Sequence, residues 1–182
     1  LAFVKAARSA RADLLVLAPP GAAAEAYAAA RARGVFDDEL VTADPFSAAW
    51  LPAVAGAVAR TAGTRGPALA RRLPVLRAAV VRRLVHRTAL ENGALGALVF
   101  VPGADMPVMT LNQIRMVLEI GSAYGQDPGQ RLPEVLGVVG AGLGMRALAR
   151  GVAGLVPVAG WAVKGAFGYA GTKALGRAAE KY

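Results

Sequence analysis

Four polar side chains in the middle of the chain, Asp105, Gln113, Glu119 and Asp127, are the ones whose types could do chemistry together. Carboxylates held within hydrogen-bond reach of one another can share general acid–base work, but only if the fold makes them converge. His86, the one histidine, stands beside Arg83 and Arg87 with no carboxylate in helical reach before Leu90, a poor setting for a proton shuttle. There is no cysteine, which removes disulfides, thiolate nucleophiles, zinc fingers and iron–sulfur sites. No GxxxxGK run followed by Ser or Thr occurs, so the chain does not bind a nucleotide in the P-loop manner. Gly140, Gly142 and Gly144 imitate a dinucleotide fingerprint only loosely, with the third glycine misplaced and no strand–turn–helix around it. Pro19-Pro20-Gly21 follows an apolar run where a ligand-binding turn could sit, though such a turn is more often punctuation. The sequence therefore assigns no catalytic residue, no metal ligand and no cofactor, and it reads as a non-enzymatic protein that works through contact.

Charge gives that contact a place. Residues 1–59 hold five Lys/Arg against six acids, residues 60–87 hold eight Arg and no acid, and residues 88–182 hold eight Lys/Arg against six acids. The formal net charge of +9 is thus one block rather than a general tint. At 100° per residue, Arg71, Arg72, Arg82, Arg83, Arg87 and His86 share one half of a helix over 68–92. Leu73, Val80, Val81, Leu84 and Val85 take the other half, with Arg77 intruding among them. Such a face is solvated, meets acidic groups of other segments, or adsorbs to an anionic membrane surface. Nucleic acid is the weakest partner, for want of interleaved aromatics or any known nucleic-acid motif.

The elements that must carry these residues differ along the chain. Residues 1–12 have apolar and basic side chains at helical spacing, and 13–18 is an apolar run that predicts a buried parallel strand. Residues 22–33 predict a helix stopped by Gly34, and 39–42 a second short strand. Ser47 is placed to cap a helix running to about Ala62. This strand–helix–strand–helix piece, 1–60, resembles half of an open α/β domain, and it either leans on the helical part or is the remnant of a larger domain. Polar, glycine-bearing 61–67 is the linker candidate, and 68–182 the helical domain. Leu1 in place of a Met suggests a trimmed chain, from which a signal peptide could have been lost upstream.

The helical part is bare of bulk. Hydrophobic residues make up 55% of the chain, yet aromatics only 6%, and the mean hydropathy is +0.44. Uncharged 93–103, broken by Pro102, predicts a helical corner or a re-entrant segment, and Thr110 is placed to cap a helix over 111–124. Gly140 and Gly144 form a GxxxG, and Gly168, Thr172 and Gly176 recur every four residues, as do Ala166, Ala170, Ala174 and Ala178. Small residues so spaced let helix backbones approach closely, in membranes and in tight soluble pairs alike. The longest uncharged runs there, 135–145 and 151–163, fall short of the roughly 20 residues that span a bilayer. Buried helices, a surface-docked bundle and true insertion of the segment all stay open. The predicted fold is mostly α: a bundle of close-packed Gly/Ala-rich helices preceded by a small α/β piece.

Several spaced motifs then resemble a family. Pro102-Gly103-Ala104-Asp105, Thr110-Leu111-Asn112-Gln113 with Met116, and Ala123-Tyr124-Gly125 are similar to the bacterial YcjF-like domain of unknown function. Leu155-Val156-Pro157-Val158-Ala159-Gly160 and the run from Ala170 to Tyr182 resemble its closing pattern, so the likeness covers about 68–182. It implies a mostly helical, membrane-associated module whose usual neighbour is an Era-like GTPase, in the same polypeptide or operon; if such a domain precedes this region, 1–60 reads as the tail of that larger, GTPase-like domain. It also implies the cytoplasmic face of the bacterial inner membrane, or the cytoplasm. Asp105, Thr110 and Gln113 become structural polar groups around a helix corner, and any GTPase activity lies outside this chain. The alternative is a soluble, self-associating scaffold whose glycine stripes form the interface, with no membrane role.

Overall fold

A parallel strand pair and a set of helices follow from local sequence signals. A computed structural model of the chain describes residues 2–9, 16–18, 21, 23–44, 46–98, 106–127, 129, 133, 135–137, 140, 144 and 160–180. The protein is mostly helical with a small two-stranded parallel sheet near its start. It divides into two units, Leu1–Val80 and Val81–Tyr182.

In the first unit the order is α1 (Ala2–Ser9), β1 (Val16–Ala18), α2 (Ala23–Ala32), β2 (Leu40–Thr42), α3 (Trp50–Thr61) and α4 (Gly66–Arg72). The strands pair in parallel with Val16, Leu17 and Ala18 opposite Leu40, Val41 and Thr42. Gly34, at φ 77°, ends α2 as expected. Its N–H donates to the Arg31 carbonyl and that of Val35 to the Ala30 carbonyl, both at 3.0 Å. That pair of bonds satisfies carbonyls the helix leaves open, and only glycine adopts this φ without strain. It also drops Val35 into a small core with Ala18, Ala30 and Leu40, against which Val4, Val16, Ala26 and Tyr27 pack. Arg31 grips Asp37 in a two-pronged pair, at 2.9 and 2.6 Å, tying the end of α2 to the turn before β2.

Three expectations for this unit need correction. Ser47 does not cap α3: its hydroxyl donates back to the Asp44 carbonyl at 2.8 Å, while the Asp44 carboxylate accepts the Phe46 N–H at 2.9 Å. That local turn competes with capping and delays the helix to Trp50. Residues 61–67 are not a linker. A short 3-10 turn, Gly63–Arg65, runs directly into α4, and Ala62, Gly66 and Pro67 are buried. A Cβ on Gly66 would stand 3.3 Å from Val80 Cγ1, and the boundary between units falls at Val80 and Val81 instead. The single basic helix over 68–92 is in fact two. Pro74 lacks an N–H and disfavours helical backbone at the residue before it. Leu73 is accordingly extended (φ −122°, ψ 88°), a 3-10 turn covers Pro74–Leu76, and α5 (Arg77–Leu98) follows.

The second unit holds the rest of α5 with α6 (Met106–Ala123) and α7 (Gly160–Ala179). α5 runs on through Gly93 to Leu98, and the rest of the 93–103 stretch expected to form a corner or re-entrant segment lies outside the described residues. α6 begins a turn before Thr110 because Pro107 sits in the first turn, where its missing N–H costs nothing. It closes on Gly125 (φ 82°), with the Gln126 N–H bonded to the Gly121 carbonyl at 2.9 Å. Val81, Leu84, Val85 and Ala89 of α5 and Met109, Met116, Val117 and Ile120 of α6 are buried. Asn92 meets Met109 and Asn112 while Arg87 meets Glu119, so α5 and α6 are antiparallel. Val85 lies under Gly176 and Asn92 under Gly168, so α5 and α7 are antiparallel too, which leaves α6 and α7 parallel. Among the described residues, no helix is long and apolar enough to cross a membrane.

Candidate functional site

The three helices of the second unit meet along one bare face of α7. Gly165, Gly168, Thr172 and Gly176 follow one another at three- and four-residue steps, which places them on one side of the helix. A Cβ added to Gly168 would lie 2.7 Å from the Asn92 carbonyl oxygen and 2.8 Å from Met109 Cε. One added to Gly176 would lie 2.5 Å from a methyl of Val85, and one added to Gly165 would lie 3.0 Å from the Gly93 carbonyl oxygen. Gly93 answers from the other side, where a Cβ would stand 3.2 Å from Tyr169 Cβ. Backbone therefore packs on backbone, as small residues at this spacing permit.

The central side chains of this crossing are shut off from solvent, so its polar groups must satisfy one another. Thr172 and Asn92 are both 0% exposed. The Thr172 hydroxyl donates to the Gly168 carbonyl at 2.8 Å and accepts from Asn92 Nδ2 at 2.9 Å and Gln113 Nε2 at 3.2 Å. Asn92 Oδ1 accepts from Asn112 Nδ2 at 3.0 Å, and Asn92 Nδ2 also reaches the Met109 carbonyl at 3.5 Å. One proton given and two lone pairs used saturate a hydroxyl. Thr172 is thus a three-helix rivet in which an amide from each neighbouring helix is anchored. Gln113 takes a structural place here; Thr110 is half-buried on α6, and Asp105 lies outside the described residues. Asn92 escaped the sequence reading, and Asn112 entered it only within the motif of the family resemblance. The available signal was a polar residue one turn after Thr88 and next to Gly93, on the apolar side of α5.

Not every small-residue pair behaves alike. Gly140 and Gly144 are exposed, and among the described residues nothing stands within 4 Å of a Cβ on either. Among the described residues, no neighbour shows the close packing expected at this pair. Gly142 lies outside the described residues.

The arginines sort into two kinds. Arg71 and Arg72 on α4, and Arg82, Arg83 and His86 on α5, are exposed. Arg77 and Arg87, expected among the contact residues, are half-buried and engaged. Arg77 Nε donates to the Ala70 carbonyl at 3.4 Å, closing the last turn of α4. Arg87 Nε lies 3.5 Å from Glu91 and its Nη2 3.9 Å from Glu119, which Arg115 grips from the other side at 2.8 Å. Glu119 therefore serves an ion-pair cluster. Gln113 belongs to the rivet, and the Asp127 carboxylate accepts the Gly129 N–H at 3.1 Å. Each of these three polar side chains is engaged in its own place. Among the described residues, no group of three metal-ligating side chains gathers.

The site can clamp helices and present positive charge. No protein-family model, curated protein or solved structure matches the chain.

Proposed function

We propose that this chain is a non-enzymatic helical module that docks on an anionic membrane surface. It serves there as anchor or effector for a GTPase, as the resemblance to the YcjF-like domain implies. The observation that carries the reading is a segment of 28 residues, 60–87, with eight arginines and no acid. Arg71, Arg72, Arg82 and Arg83 are exposed, whereas Val80, Val81, Leu84 and Val85 between and beside them are buried. Exposed arginine pairs on α4 and on α5 each suit phosphate-bearing headgroups, each residue near the surface contributing about 1 kcal/mol. Sedimentation with vesicles tests it: the chain pellets with anionic vesicles, releases as salt rises, and ignores neutral ones. Arg82→Glu with Arg83→Glu weakens the binding at least about tenfold. Equal binding to both vesicle types, or to neither, removes the membrane reading. The GTPase link is tested separately, by retention of a GTPase encoded beside it in its GTP- and GDP-loaded forms.

A soluble self-associating scaffold is the second reading; Gly168 and Gly176, expected at its interface, are buried within the chain, and the feature that favours it is that Ala166, Ala170, Ala174 and Ala178 of α7 are all exposed. Light scattering without detergent decides, a defined oligomer supporting it and a monomer at all concentrations opposing it.

A further inference from the structure

We propose that the corner between α4 and α5, residues Leu73, Pro74 and Val75, is an apolar wedge. It enters the headgroup–acyl boundary of an anionic bilayer while Arg71 and Arg72 hold lipid phosphate beside it. The proposal rests on the membrane reading above and names the part of the chain that penetrates.

Single apolar side chains on a surface need no explanation, but a run of them at a protruding corner does. Leu73 is 50% exposed and Val75 52%, with Pro74 exposed between them. The backbone forces this. Leu73 is extended before the proline, its N–H still bonded to the Leu69 carbonyl at 2.8 Å. The Leu76 N–H then returns to the Leu73 carbonyl at 2.9 Å, so the turn is tight and held at both ends. Leu76 is the one side chain of the turn that goes inward, and it is buried. Arg77 fastens the following residue to α4 through the Ala70 carbonyl. The corner is thus a rigid apolar tip preorganised by a proline, so little entropy is lost on insertion. Two exposed arginines directly precede it, and no acid lies within residues 60–87. An acidic protein would use the charge but has no need of bare aliphatic groups beside it, whereas an anionic bilayer takes both: phosphate at the surface and hydrocarbon just beneath.

The chain has no cysteine, so Val75→Cys offers a single point for an environment-sensitive nitrobenzoxadiazole label. Ala48→Cys, at an exposed site in an earlier turn, is the control. With anionic vesicles the label at 75 shifts to the blue, brightens and is quenched by nitroxide-bearing acyl chains, while the control does not change. In the unlabelled full chain, Leu73→Ser with Val75→Ser lowers affinity for anionic vesicles at least about tenfold, with helicity and melting temperature unchanged. Full binding by this double variant, or a label that stays in water on vesicle-bound protein, overturns the wedge but leaves the membrane reading standing. Absence of any binding by the wild-type chain to anionic vesicles overturns both.

Discussion

Two stripes of small residues run along the same helix and come to opposite ends. On α7, Gly165 and Gly168 press against the backbone of α5, Gly176 against the Val85 side chain, and Thr172 bonds to Asn92 and Gln113, whereas Ala166, Ala170, Ala174 and Ala178 are exposed. Both have the four-residue step that allows helices to approach. Among the described residues, only the first has, opposite it, residues equally bare (Gly93) or able to use the closeness (Asn92, Gln113). Small size is permission to pack; the partner surface decides whether the permission is used.

The sharpest way to break the contrast is Gly168→Ala. In an open helix the change stabilises by about 1 kcal/mol through helix propensity. Against the Asn92 carbonyl, a backbone atom that cannot rotate away, it costs about 3 kcal/mol instead. Chemical denaturation gives the sign directly, and Ala170→Leu on the outward stripe stays within about 0.5 kcal/mol of wild type. Gly176→Ala comes next, costing about 2 kcal/mol because the branched Val85 side chain has little freedom to yield. Adding Val85→Ala recovers part of that loss, and a double-mutant cycle that shows no coupling denies the contact. Thr172→Val keeps the shape but strands two amide donors, for a loss of 1 to about 2 kcal/mol; Thr172→Ser, which keeps the hydroxyl, loses less. Equal losses from the two mean the hydroxyl contributes nothing.

The smallest effect belongs to the first unit. Arg31 beside Asp37 holds that exposed carboxyl below its usual range, first by hydrogen bonding. A lowered folded pKa means the pair's stabilisation is present above the ordinary carboxylate pKa and is lost as acid takes the pH down through the folded value. The melting temperature of wild type relative to Asp37→Asn therefore shows a small advantage at neutral pH that shrinks on acidification. A difference that grows on acidification reverses the assignment.

How much was legible depended on whether the signal was local. The α2 stop at Gly34 and the α6 stop at Gly125 could be read, since a backbone conformation open to glycine acts within one turn. The parallel pairing of the apolar run ending at Ala18 with residues 40–42 was readable for the same kind of reason: each run is short, apolar and bounded by breakers. Ser47 misled because two local options, a turn with Asp44 and a helix cap, were both available. Across 68–92 the charge periodicity is continuous, but Pro74 interrupts the helix locally because its ring and missing N–H break the backbone ladder. The candidate site was half visible. Spacing marked Gly168, Thr172 and Gly176, but nothing in a linear pattern said that Asn92, eighty residues away from Thr172, would supply its hydrogen bond.

By itself the sequence determined the helix-rich composition, the acid-free arginine block, the stops and turns, and the absence of cysteine chemistry. These are properties of residues and their near neighbours, set by backbone sterics and by composition. The tertiary structure alone decided which small stripe is buried, which arginines are turned inward as Arg77 and Arg87 are, and that the Leu73–Val75 corner is left bare. Those outcomes depend on what lies across a packed interface, and close packing is a relation between surfaces that one strand of text does not contain.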